Sequence, residues 1–215
     1  VTLIEEINAL GSDHIPTFGG DFEGGYHIQQ DAGELAALVG ALHAWMDPDR
    51  GAPARFRRPI NSYLQIGCAA GGTERYLCEK LGIKDFTVID IGEHPKFQVW
   101  SNQNKPDLMA QGVKVSEHIG DSHDEAAEAF LAAQGKKFDL IGIDGDHSPA
   151  GVRMDWAMII PYLKPGALVW FHDINSVGLP LGKQGALEVW EKLKGRHNVI
   201  LEVMDKFGIG LVEIV

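Results

Sequence analysis

Two short runs in the second half of the chain set acids beside imidazoles: Asp144-Gly145-Asp146-His147 and His172-Asp173. Each follows a nearly continuous apolar stretch, Phe138 to Ile143 and Ala167 to Phe171, of the kind that forms a strand buried on both faces. Charged groups rarely end up in such places without a partner or a metal. Asp144 and Asp173 offer oxygen ligands to a hard divalent cation, with His172 as a nitrogen ligand or neighbour. His147, three residues past Asp144, is placed to serve as a general base near that metal. The plainer reading is a pair of solvated loops with strand-end aspartates bonded to backbone and His147 at a helix cap. Two such clusters in one chain favour chemistry.

A second candidate lies after an earlier apolar run, Ser62 to Ile66. The loop Gln65-Ile66-Gly67-Cys68-Ala69-Ala70-Gly71-Gly72-Thr73 is rich in small residues and opens onto a helix start whose free N–H groups can face a ligand. A dinucleotide fingerprint wants glycine at its first, third and sixth positions. Here these are Gly67, Ala69 and Gly72, so the glycine that admits a pyrophosphate is missing. Asp90 closes the next strand, where an acid can accept hydrogen bonds from ribose hydroxyls. It supports a nucleoside without choosing between NAD and S-adenosylmethionine. Gly120-Asp121-Ser122-His123-Asp124 is a polar turn that can edge an adenine, cap the helix after it through Ser122 or Asp121, or do both.

Positioning these residues requires a sheet. From Asn61 onward strands alternate with helices. The strands are Ser62 to Ile66, Phe86 to Ile91, Val113 to Ile119, Phe138 to Ile143 and Ala167 to Phe171, the last entered through a Lys164-Pro165-Gly166 turn. The helices are Thr73 to Leu81, Asp124 to Ala133, one begun by Ser148-Pro149, and Ala186 to Lys194. Val199 to Met204 and Ile209 to Ile214 close the chain as a strand pair. This order predicts an α/β, doubly wound, mainly parallel Rossmann-like sheet with a closing antiparallel pair. Residues 60–215 form the main domain. Residues 1–59 form a helical and loop cap, with a helix from Glu34 to Met46 stopped by Asp47-Pro48. Glycine-rich loops around Gly19-Gly20 and Gly24-Gly25 precede that helix, and a basic connector from Gly51 to Pro59 follows it. The five tryptophans read as core or interface.

At 215 residues the chain needs neither disulfide nor metal to hold its core. Its 19 basic and 30 acidic residues leave a net charge of −11, which repels phosphate backbones and anionic membranes. The expected partner is a small-molecule substrate, not nucleic acid or a membrane, with room for a homo-oligomer. Cys68 and Cys78 are expected to be free thiols in a reducing compartment. No apolar run approaches the ~20 residues of a membrane span. No export leader is visible, so the expected location is cytoplasmic. The start at Val1 fits a trimmed chain or part of a longer one.

The string Phe138-Asp139-Leu140-Ile141-Gly142-Ile143-Asp144-Gly145-Asp146-His147-Ser148, followed by Leu163-Lys164-Pro165-Gly166 and Phe171-His172-Asp173, resembles the class I S-adenosylmethionine-dependent methyltransferases. Within that class it is most similar to the metal-dependent O-methyltransferases: catechol O-methyltransferase and, more closely, the macrolide-sugar and cephalosporin-hydroxylase-like bacterial group. The likeness covers roughly residues 60 to 173. It implies that Gln65, Gly67, Ala69, Gly71, Gly72 and Thr73 wrap the methionine part of S-adenosylmethionine. Asp90 would hold the ribose, while Asp121, Ser122 and His123 flank the adenine. Asp144 would touch the cofactor and be the first ligand of a divalent metal, with His172 and Asp173 the other two and His147 the catalytic base. Gln65 stands where many members carry an acid. His172 stands where catechol-type enzymes carry an aspartate, which widens the metal from magnesium to manganese or iron.

The reading is a metal-assisted O-methyltransferase acting on a small hydroxylated molecule. One alternative is an NAD(P)-dependent oxidoreductase on a Rossmann fold. The incomplete glycine fingerprint and the lack of a Tyr-x-x-x-Lys pair count against it. The other alternative is a cofactor-binding module without catalysis. The substrate pocket is expected from residues 1–60 and a lid from Ile174 to Gln184.

Overall fold

The apolar runs become strands in the computed structural model, which describes residues 1–11, 25–47, 59–175, 182 and 184–215. The glycine-rich loop up to Gly24, the connector up to residue 58 and most of the expected lid lie outside the described residues. Strands β1 (Ser62–Ile66), β2 (Asp85–Asp90), β3 (Lys114–Ile119), β4 (Phe138–Ile143) and β5 (Leu163–His172) pair in parallel. β6 (Asn198–Val203) and β7 (Ile209–Glu213) join antiparallel to them and to each other. The order is β3-β2-β1-β4-β5-β7-β6. Strand order therefore reverses between β1 and β4, and a cleft opens at their carboxyl ends. Every residue of β1 and β4 is buried, as their apolar composition requires.

Local signals set the helices. α3 (Gly72–Leu81) starts and stops at left-handed glycines, Gly71 and Gly82. In α7 (Pro149–Ile159), Ser148 accepts a bond from Gly151 N at 3.0 Å and Pro149 opens the first turn. α1 (Leu3–Ala9) and α2 (Ala32–Met46) lie against the sheet. Leu35, Leu38, Val39 and Leu42 of α2 share one buried cluster with Tyr63, Leu77, Leu168 and Leu211. α6 (Glu125–Gln134) and α8 (Gly185–Leu193) complete the layers. Cys68 and Cys78 are free and buried. Among the described residues no helix is long and apolar enough to cross a membrane.

Three local expectations are corrected. Lys164-Pro165-Gly166 is not a turn before β5 but a bulge inside it: Phe138 pairs with Leu163 and Leu140 with Leu168, so the extra residues arch out of the ladder. Neither Asp121 nor Ser122 caps α6. The N-cap is Asp124; Asp121 turns to His123 N and Ser122 to Asp155. A helical stretch between β2 and β3 was not anticipated. It comprises α4 (Phe97–Val99), a π-helical turn (Trp100–Asn104) and α5 (Lys105–Ala110), and buried Trp100 anchors it.

The bulge has a use. It brings Lys164 Nζ to 2.8 Å from Asp139 Oδ2, which also accepts from Ser62 Oγ and from the amides of Asn61 and Ser62. Burial opposes the charge on Asp139, but Lys164 and Ser62 outweigh it and hold the carboxyl below its ordinary value. A depressed native value stabilises the fold above the unfolded pKa near ~3.9, and that contribution is lost as pH falls through the native value. Asp139→Ala is expected to lose about 2–4 kcal/mol of unfolding free energy at pH 7, with the gap to wild type narrowing below about pH 4. Urea unfolding at several pH values checks this. A loss below about 0.5 kcal/mol at pH 7 would remove the clamp from the stability account.

Candidate active site

Strand register builds the site. Ile66 pairs with Ile89 on one side and Ile143 on the other, and Ile143 pairs with Phe171. The next residue on each strand is Asp90, Gly67, Asp144 or His172, so four residues far apart in sequence form one row along the carboxyl edge. A cleft of about 680 Å³ opens above them. Among the described residues its wall carries the carboxyls of Glu74, Asp90, Asp121, Asp144, Asp146 and Asp173, and no lysine or arginine.

The glycine loop fits tightly against β4. Gly67 has φ +77°, and a Cβ there would lie 2.2 Å from the carbonyl oxygen of Asp144. Ala69 adopts a left-handed φ of +49°, filling a glycine-like conformation with a side chain. Asp90 ties the loop down: Oδ2 accepts from Cys68 N at 2.6 Å and Ala69 N at 3.0 Å, and Oδ1 accepts from Gly92 N at 2.7 Å. Gly67, Ala69, Thr73 and Asp90 line the cleft, whereas Gln65, Gly71 and Gly72 do not. The Gln65 side chain is fully buried. It accepts from Tyr63 Oη at 2.5 Å and donates to Gly67 O at 2.6 Å. Gly71 backs onto Trp100, and Gly72 onto the backbone of Tyr26 and His27.

At the other end of the row the two acid-and-imidazole runs meet. His147 Nδ1 lies 3.0 Å from Asp173 Oδ2, and its Nε2 lies 3.5 Å from Asp144 Oδ1. His172 Nδ1 is 3.5 Å from Asp144 Oδ1 and 3.4 Å from Asp173 Oδ1, while its Nε2 faces Glu34 Oε2 at 3.4 Å. Burial alone would raise Asp144, but His172 and His147 bring it down to about 2. Burial would lower His172, yet the charge of Asp144 overrides it and the ring ends well above its ordinary value. Asp173 is raised, by burial and then by the neighbouring Asp144 charge. It also sits at φ +59°, a left-handed conformation that aspartate tolerates better than most residues.

Asp121, Ser122 and His123 lie together on the cleft wall. Behind them Asp155 of α7 is fully buried, accepting from Ser122 Oγ at 2.7 Å and lying 3.1 Å from His123 Nε2.

Sequence reasoning missed two contributors from the N-terminal part. Gln30 accepts from the Thr73 hydroxyl and donates through Nε2 to Asp144 Oδ2 at 2.8 Å. Glu34 holds His172 on one side and accepts from Gly208 N at 2.6 Å on the other. Both sit at the start of α2, which Asp31 caps through Gly33 N and Glu34 N, and nothing in the local pattern ties them to the carboxyl edge of the sheet.

Asp144, His147 and Asp173 each bring one donor atom to within 4.8 Å of the other two. Two carboxylate oxygens and an imidazole nitrogen suit a divalent ion between hard and borderline, such as magnesium, manganese or iron. An imidazole between two carboxylates also suits proton acceptance, because the protonated ring is stabilised on both sides.

Residues 64–174 match the model of a family described as a methyltransferase domain. A search of curated proteins gives no match. Solved structures resemble the chain over most of its length. The O-methyltransferase TomG from Streptomyces achromogenes, involved in tomaymycin synthesis and solved with SAM, has a TM-score of 0.55 at 19% identity, covering 85% of this chain and 89% of that one. The N-methyltransferase NodS from Bradyrhizobium japonicum has a TM-score of 0.55 at 18% identity, covering 81% and 92%. MycE of the mycinamycin pathway, solved with Mg, SAH and mycinamycin VI, has a TM-score of 0.52 at 18% identity, covering 82% of this chain and 54% of that one. At these identities the likeness is one of fold, and the fold serves oxygen and nitrogen acceptors alike.

Proposed function

Because the chain belongs to this methyltransferase-domain family, we propose that its cleft binds S-adenosylmethionine and passes the methyl group to a hydroxyl oxygen of a small molecule, with help from a divalent ion. The observation that supports this best is the row itself: a glycine loop and Asp90 at one end, and two acids with two imidazoles at the other. In this reading residues 60–215 hold the cofactor. Residues 1–59 close the acceptor side, as the contacts of Gln30 and Glu34 with Asp144 and His172 suggest. The dinucleotide alternative fits less well. Asp90 already takes the loop amides of Cys68 and Ala69 that a pyrophosphate would need, and the acid-lined wall opposes phosphate charge.

Gly67, Ala69, Thr73 and Asp90 line the end of the cleft that would take the methionine and ribose, and Asp121, Ser122 and His123 the end that would take the adenine. Asp144 and Asp173 would hold the ion, with a third ligand either from His172, as the family resemblance implies, or from His147, whose donor atom lies within 4.8 Å of theirs. Such an ion supplies positive charge that makes an acceptor hydroxyl easier to deprotonate. His147 takes the proton. With Nδ1–H assigned toward Asp173, Nε2 is the nitrogen that would take the proton, and the resulting imidazolium would rest between Asp173 and Asp144. Positioning the two reactants in line can contribute up to ~7–11 kcal/mol.

His147→Ala is expected to lower turnover by about 10²–10³-fold, while S-adenosylhomocysteine affinity and the metal concentration for half-maximal rate stay within threefold or so. Steady-state rates over a metal titration, with calorimetry, test it. Near-full turnover would remove the base. A large rise in the metal requirement would instead place His147 among the ligands, as its donor distance also allows.

A further inference from the structure

Glu74 has no task in the scheme above, yet it is placed as if it had one. It is the third residue of α3, 2% exposed, on the wall of the cleft. Its Oε2 is buried and has no hydrogen-bond partner among the described residues. An orphaned buried carboxyl oxygen is destabilising unless something supplies a donor. Among the described residues nothing does so. The charges that bear on Glu74 are those of Asp144, just past β4, and Asp90 of β2, and neither is a cation. Burial and these acids push its carboxyl well above the ordinary range, opposed by its own backbone amide. The polar group ending β1, Gln65, is turned away into the sheet, so the strand offers the cleft no acid of its own.

On the reading that S-adenosylmethionine occupies the cleft, we infer that Glu74 receives the ammonium group of the cofactor's amino-acid tail through Oε2. A protonated amine is the donor class that satisfies the orphaned oxygen and also favours the charged carboxylate among acids. Glu74 thereby selects a ligand with a cationic tail over a bare nucleoside and over one carrying phosphate at the same helix start.

The test compares S-adenosylhomocysteine with 5′-methylthioadenosine, which shares the nucleoside and lacks the amino-acid tail, by calorimetry on the wild-type chain, Glu74→Gln and Glu74→Asp. Wild type is expected to prefer S-adenosylhomocysteine. Both variants are expected to lose about 10- to 100-fold of that affinity, with 5′-methylthioadenosine binding changed less than about twofold. Equal losses for both ligands would make Glu74 a structural residue of the helix start and overturn the inference. Unchanged S-adenosylhomocysteine binding would overturn it too. Wild type that binds methylthioadenosine as well as S-adenosylhomocysteine would sink the inference while leaving the nucleoside site intact. Wild type that binds neither would remove the cofactor reading and this inference with it. If both variants fail to fold, the wild-type preference between the two ligands decides.

Discussion

Asp144→Asn is expected to cut methyl transfer by roughly 10⁴-fold, about 5.5 kcal/mol of barrier, and to abolish any response to added divalent ion. Asp144, like Asp173, faces both histidines of the site, at 3.5 Å from His147 Nε2 and 3.5 Å from His172 Nδ1. Asparagine keeps the shape and can still accept the bond from Gln30, so the strand end should stay in place. What disappears is the negative charge. A cation site with one carboxylate fewer binds a divalent ion far more weakly, and an imidazolium at His147 loses one of its two flanking anions. Initial rates with magnesium or manganese, and with chelator, measure the effect beside a thermal melt. A variant that melts like wild type and keeps a chelator-sensitive rate above a tenth of wild type would separate Asp144 from the metal and from the base.

Gly67→Ala carries the second large effect, on the fold as well as the site. The added Cβ would sit 2.2 Å from Asp144 O and 2.7 Å from both Asp144 C and Gly145 Cα, all backbone atoms that cannot swing aside. The residue also holds φ +77°, where an L side chain is strained by about 1–2 kcal/mol before any clash. The loop must therefore lift from β4, opening the bond from Gly67 N to Ile89 O and spreading the row that the site depends on. A loss of roughly 3–5 kcal/mol is expected in urea unfolding, a large share of the ~5–15 kcal/mol that holds a typical domain together. Ligand binding should fall with it. A loss below about 1 kcal/mol would mean that the loop and β4 separate easily, contrary to their packing.

Much of this was legible in the residues. The run Phe138 to Ile143 is apolar enough to be a central strand, and the residue that follows a central parallel strand is where ligands are met. Glycine at 67 and the acid at 90 could be placed the same way. Other features were hidden for physical reasons. The stretch from Phe97 to Ala110 is half polar and contains Pro106, a residue that usually interrupts a helix. In the structure that proline follows directly on the π-helical turn, whose last bond runs from Lys105 N to Trp100 O, and Trp100 supplies the anchor by packing edge-on against Phe86. Gln65 is implied by the family resemblance to help wrap the cofactor. Strand alternation sets it on the same face as Tyr63, whose buried hydroxyl takes it as a partner. Gln30 and Glu34 touch residues more than a hundred positions away, and local pattern carries no information about such pairings.

Those distant pairings bear on how the protein reaches its working state. Gln30 meets Asp144 across 114 residues, and Glu34 meets Gly208 across 174. β1 and β2, by contrast, join segments about twenty residues apart. Closing a loop is entropically harder the longer it is, and contacts of wide sequence separation slow folding. The sheet can thus acquire its central ladder while the two ties that fix Asp144 and His172 are still open. On these separations the ties at Asp144 and His172 are expected to close after the β1–β2 ladder has formed.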